Sequence, residues 1–350
     1  MTWNREDGVR GAEPVMADGL LEVACDESGS DGENLTAGNT DVFAHASVRL
    51  PMGSAAGFVQ EIRDRIRSPA EEYKANHLLR EKHRAVLEWL LAPAGPIHGH
   101  AQVQLTEKTF FVVDRAVALL LGAGSEGSSQ AALLFREGRR TFGDERWREF
   151  LTAANQLLRV RNDAEPEAPA DTFFRAVDTL SRASSGTDVS GVLDRLAAAR
   201  PLADAYRARL GEGPPLIPVL NPLLPAIVAT AAYWSAGGRP VRLVHDRQNM
   251  LTPDRIAWIE ETARRAGVGL GGLRLVAARQ DPRVQLADFL AGIARKIASD
   301  ELNEHGDPAL TASLRPYVGT ASVWGDERSW ARLGPAPDGT AAGSAVRTAG

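Results

Sequence analysis

Three carboxylates stand where chemistry would need them. Asp26 ends the run Ala24-Cys25-Asp26-Glu27-Ser28-Gly29, Asp246 ends Leu243-Val244-His245-Asp246, and Asp288 interrupts the apolar stretch 284–294. Within that stretch only Gln285 and Asp288 are polar, and a spacing of three puts both on one helical face. A carboxylate amid so much apolar surface is costly unless it is paired, hydrogen-bonded or bound to a cation. Oxygen donors of this kind suit hard divalent cations, Mg²⁺ or Mn²⁺. Two such ions about 3.5–4 Å apart can activate water and stabilise the leaving oxygen in phosphodiester cleavage.

Each acid needs an element to carry it. Residues 19–25 and 42–50 read as strands, and 101–113 alternates well enough at first to be a third. Residues 57–66 and 77–91 are amphipathic helices between the second and third strands. From Asp114 to about Gly211 strand signals vanish, and helical segments alternate with breakers such as GAGSEGSS and the acidic NDAEPEAPAD. Strand four is 240–245 and strand five 273–277. Between them a helix starts at Thr252-Pro253-Asp254, with Thr in the capping position and Pro in the first turn. Residues 284–302 form a closing helix that carries Asp288.

Three consecutive strands favour an antiparallel meander, and strands separated by helices favour parallel crossovers. The expected fold is therefore α/β: a ribonuclease H-like mixed five-stranded sheet flanked by helices, with a large helical insertion before the fourth strand. Strands one and four become central neighbours, so Asp26 and Asp246 approach the closing helix. The core is expected at 19–113 and 236–302, with 114–235 as helical insertion and core helix. Residues 1–18 read as a disordered tail, and 303–350 as an extension that is mostly loose.

With those residues in place, a resemblance becomes specific. The Asp-Glu-Ser-Gly ending of strand one, Glu72-Tyr73-Lys74, Val244-His245-Asp246-Arg247-Gln248, and Gln285-Leu286-Ala287-Asp288-Phe289-Leu290-Ala291-Gly292 together resemble the prokaryotic domain-of-unknown-function 3800 family. The resemblance spans about residues 19–302, and the closing motif is its most distinctive part. It implies a ribonuclease H-like fold and a metal-dependent nuclease-type site. Asp26, Asp246 and Asp288 would be catalytic metal ligands, supported by Glu27, Glu72 and Lys74. Ser28, Lys108, Gln248 and Gln285 are further candidate substrate contacts, with Lys74. Mg²⁺ or Mn²⁺ is the implied cofactor and nucleic acid the implied partner. One departure favours a catalytically inactive binding or regulatory module instead: ribonuclease H-like nucleases usually carry a carboxylate on the helix before strand four, and 223–236 has none.

Composition leaves that reading open. The 45 acidic residues against 40 basic ones give a net charge of −5, which excludes a broadly basic surface but not a local groove. One cysteine, Cys25, excludes a disulfide scaffold or a Cys-rich zinc module and fits a reducing cytoplasm. Residues 213–238 are uncharged but broken by five prolines, so they read as loop and buried helix rather than a membrane span. His98 and His100 share a side if extended, yet no third zinc ligand is spaced near them.

Overall fold

The computed structural model describes residues 19–67, 74–161, 167–184 and 186–335. Two strands open the chain, β1 (Leu21–Ser28) and β2 (Val42–Val48), followed by helices α1 (Met52–Ile66), α2 (Ala75–Leu78) and α3 (Arg84–Leu91). Then come β3 (Ala101–Glu107) and the helices α4 (Lys108–Leu121), α5 (Ser125–Leu158), α6 (Pro169–Ala183), α7 (Ser190–Ala198), α8 (Arg200–Glu212) and α9 (Leu223–Ser235). The described chain finishes with β4 (Val241–Asp246), α10 (Pro253–Arg265), β5 (Leu270–Val276), α11 (Pro282–Leu302), α12 (Pro308–Leu314) and α13 (Glu327–Leu333).

The fold is α/β, built on one open mixed sheet in the order β3-β2-β1-β4-β5. β1, β2 and β3 pair antiparallel, whereas β4 and β5 run parallel to β1. Strands one and four are central neighbours, as the sequence pattern predicts. Their carboxyl-bearing ends therefore emerge at the same end of the sheet.

Period-two alternation distributes side chains between the sheet's two faces. Val42, Ala44, Ala46 and Val48 of β2 face α11, where Leu286, Phe289, Leu290 and Ile293 complete a buried core. Leu21, Val23, Cys25 and Phe43 face α9 instead, against Leu224, Ile227 and Ala231. Burial on this face pushes the Cys25 thiol pKa upward, so it is an inert apolar filler. The block α4–α8 has a core of its own around Phe111, Phe150, Phe173 and Leu196. α5 is kinked at Gly143, whose φ of 76° only glycine adopts cheaply.

Two boundaries differ from the sequence reading. The third strand stops at Glu107, and Lys108 begins a helix rather than continuing to Val113. Phe110, Phe111, Val112 and Val113 are all buried, so a helix surrounded by protein replaces the alternating surface a strand would need. The expectation that the chain beyond 302 is mostly loose fails for residues 303–335. That segment runs along the outer edge of β3, with parallel bridges Val103–Val318 and Thr106–Val323. Gly319 N donates to Val103 O, Val323 N to Leu105 O, and buried Glu107 accepts from the amides of Gly325 and Asp326. An edge strand's exposed amides are thereby covered. The tail expected over residues 1–18 lies outside the described residues.

Candidate active site

Four acids meet at the end of β1 and β4. Asp26 and Ser28 project toward α11, and Glu27, the residue between them, projects toward α9. Asp246 ends β4 beside β1, and Asp288 lies in the second turn of α11, partly buried. Asp26 is only 6% exposed. Burial pushes its pKa up to about 9, assisted by the negative charges of Glu27, Asp288 and Asp246. Glu27 is pushed up to about 7, first by burial and then by the charges of Asp246 and Asp288. The charges of Asp246 and Asp288 thus oppose the ionisation of Asp26 and Glu27.

Three of the acids are nonetheless turned to partners of their own. Asp26 Oδ1 accepts from the Glu27 amide at 2.8 Å, and Asp246 Oδ1 accepts from the Ala278 amide at 2.8 Å. Lys74 Nζ lies 3.7 Å from Asp288 Oδ2, while Glu27 Oε2 is buried without a hydrogen-bond partner. Among the described residues no group of three or more His, Cys, Asp or Glu side chains is arranged to hold a metal ion. The donor chemistry suits a hard cation, but Asp26, Asp246 and Asp288 are each engaged by another group.

The remaining sequence candidates divide clearly. Ser28 Oγ accepts from Arg295 Nε at 3.0 Å, beside the acids. Gln285 Nε2 donates to Ala278 O at 3.2 Å and braces the start of α11. Gln248 Oε1 accepts from the Met250 amide, which tightens the turn after β4. Lys108 is fully buried and its ammonium is spent on Asp31 and Thr40, so it ties the loop after β1 to α4. Glu72 lies outside the described residues. His98 and His100 are not joined by a third ligand among the described residues.

Sequence reasoning missed two histidines beneath the acids. His45 and His245 are both fully buried. Thr230 Oγ1 stands 3.0 Å from His45 Nδ1, His45 Nε2 stands 3.2 Å from His245 Nε2, and His245 Nδ1 stands 3.0 Å from Asp246 O. A carbonyl only accepts, so His245 Nδ1 carries the proton and its Nε2 accepts. His45 then donates from Nε2 and accepts from the Thr230 hydroxyl at Nδ1. The same His245 Nε2 lies 3.5 Å from Glu27 Oε2. A usable signal existed: in Phe43-Ala44-His45-Ala46-Ser47 the histidine falls on the period-two face that buries Phe43.

Among the described residues no helix is long and apolar enough to cross a membrane. No protein-family model, curated protein or solved structure matches the chain.

Proposed function

We propose that this chain is a divalent-cation-dependent phosphodiester hydrolase of the nuclease type, on a ribonuclease H-like core related to the domain-of-unknown-function 3800 family. The observation that carries the reading is that Asp26, Glu27 and Asp246, at the carboxyl ends of two adjacent parallel strands, meet Asp288 of α11, with the ionisation of Asp26 and Glu27 opposed by their neighbours' charges. Clefts at that end of parallel strands are where open α/β sheets bind ligands. Ionisation of Asp26 and Glu27 is opposed there, and one Glu27 oxygen is buried without a hydrogen-bond partner; a cation would favour the ionised forms.

Asp26, Asp246 and Asp288 would hold Mg²⁺ or Mn²⁺, with Glu27 as the fourth donor. Bound there, the cation supplies activated water and charge stabilisation at the leaving oxygen. Lys74, beside Asp288, would meet a substrate phosphate. The sheet and α11 exclude water from beneath the acids.

Calorimetric titration with Mn²⁺ tests this reading. Wild type should bind, and Asp26→Asn combined with Asp288→Asn should not; equal behaviour of the two defeats the metal site. Incubation with single-stranded and duplex DNA and RNA then tests cleavage. A second reading, a binding or regulatory module without catalysis, draws on α9, which faces Glu27 without a single carboxylate. Metal-independent nucleic-acid binding without cleavage would favour it.

A further inference from the structure

Beside the acids lies a cation with no carboxylate partner among the described residues. Arg295 is on α11, seven residues after Asp288 and therefore about 10 Å further along the helix axis. Its Nε donates to Ser28 Oγ at 3.0 Å. Its stem crosses Gly29, where an added Cβ would run into Val42 O and come within 2.8 Å of Arg295 Cδ. Gly29 also has φ of 88°, so glycine at that position both makes the turn after β1 and seats the arginine.

The guanidinium is half-buried, and its two terminal nitrogens bond to none of the described residues. No carboxylate among the described residues lies within ion-pair reach of it. Other buried cations here are treated differently. Lys108 is neutralised by Asp31, and Arg283 by Glu22 and Asp281. A guanidinium held by its Nε, with the outer fork left open, is set up for bidentate contact with a phosphate or carboxylate.

We infer that Arg295 contacts a second phosphate of the substrate, one removed from the reacting phosphate, so that the substrate is a chain of phosphodiesters rather than a single small ester. This rests on the hydrolase reading above. The spacing suits the neighbouring phosphate: Ser28, which holds Arg295, stands two residues beyond Asp26 on the same face of β1, about 6.6 Å along the strand and close to the step between successive phosphates of a chain. Ser28 fixes the direction in which the fork points.

The test is fluorescence anisotropy with short single-stranded DNA and RNA oligonucleotides in Mn²⁺, with strand integrity checked on a gel. A dinucleoside monophosphate, which carries one phosphodiester, is the competing ligand. Arg295→Gln should weaken oligonucleotide binding about tenfold and lower the salt slope by about 0.7, as expected when one fewer phosphate of a single strand is neutralised. Its affinity for the dinucleoside monophosphate and for Mn²⁺ should stay at the wild-type level. Arg295→Lys, which keeps the charge but not the fork, should recover part of the affinity and controls for misfolding. Unchanged oligonucleotide affinity in Arg295→Gln overturns the inference, as does a wild type that binds oligonucleotide no better than the dinucleoside monophosphate. Failure of the hydrolase reading is seen separately, in Mn²⁺ calorimetry of the Asp26 and Asp288 variants.

Discussion

His45 and His245 face each other Nε2 to Nε2 at 3.2 Å in a fully buried layer between the sheet and α9, and the second of them reaches toward Glu27. Burial depresses both: His45 well below the ordinary histidine value and His245 to about 4. Each ring is held neutral, and one protonated nitrogen serves as the sole link between them.

That arrangement makes the fold sensitive to acid. The unfolded chain takes up protons near the ordinary 6.5, while folded His245 resists until about 4. Stability from the pair is complete above 6.5 and is lost as pH falls through that window. The urea midpoint, measured against pH, should drop between about 6.5 and 4, and a His45→Leu, His245→Leu double variant should flatten that drop. His45→Leu alone should cost about 1–3 kcal/mol at neutral pH, since it leaves His245 Nε2 and Thr230 without their partner.

The acid cluster has the opposite slope. Asp26 titrates at about 9 when folded and near 3.8 when unfolded, so the folded state holds a proton that the unfolded chain has lost. Without cation, stability should therefore decline as pH rises between those values. Asp26→Asn keeps an acceptor for the Glu27 amide and should raise stability by about 1–2 kcal/mol at pH 8. Thermal melting with and without Mn²⁺ reads both effects; a melting temperature indifferent to Asp26→Asn would remove the repulsion argument.

Arg283 offers a prediction independent of function. It is 3% exposed and bonds both Glu22 of β1 and Asp281, the cap of α11. Arg283→Met leaves buried Asp281 without its cation and Glu22 with Arg274 alone, and should cost about 3–5 kcal/mol by denaturant unfolding. A loss below about 1 kcal/mol would mean that water replaces the guanidinium.

Gly292 should also resist substitution. A Cβ there would collide with Ala75, whose helix α2 follows directly on Lys74. Gly292→Val should cost about 1–3 kcal/mol and displace Lys74 from Asp288. Mn²⁺ affinity measured on the folded variant would show whether the displacement reaches the acids.

The order of strand and helix patterns was sufficient to predict a mixed five-stranded sheet with β1 beside β4 and their acid-bearing ends near α11. Local pattern failed where neighbours decide. Phe110–Val113 looks like a strand end until the helical block surrounds it. Lys108 looks like a surface cation until Asp31 closes over it. His45 and His245 are 200 residues apart, so neither hints at the other. Arg295 reads as an ordinary helix charge, and only the fold lays it across Gly29.

The separate core of α4–α8 bears on how the chain comes together. β1 pairs with β4 across everything from Leu21 to Val241, a long loop whose closure entropy opposes the first contact. The helical block begins at the end of β3 and leads into α9, which itself packs on β2, β3 and β4. Once folded, that block holds its two exits beside the same sheet. The search of a flexible tether is replaced by a short docking step, and β4 is delivered to β1 with the two strands' acids at one end.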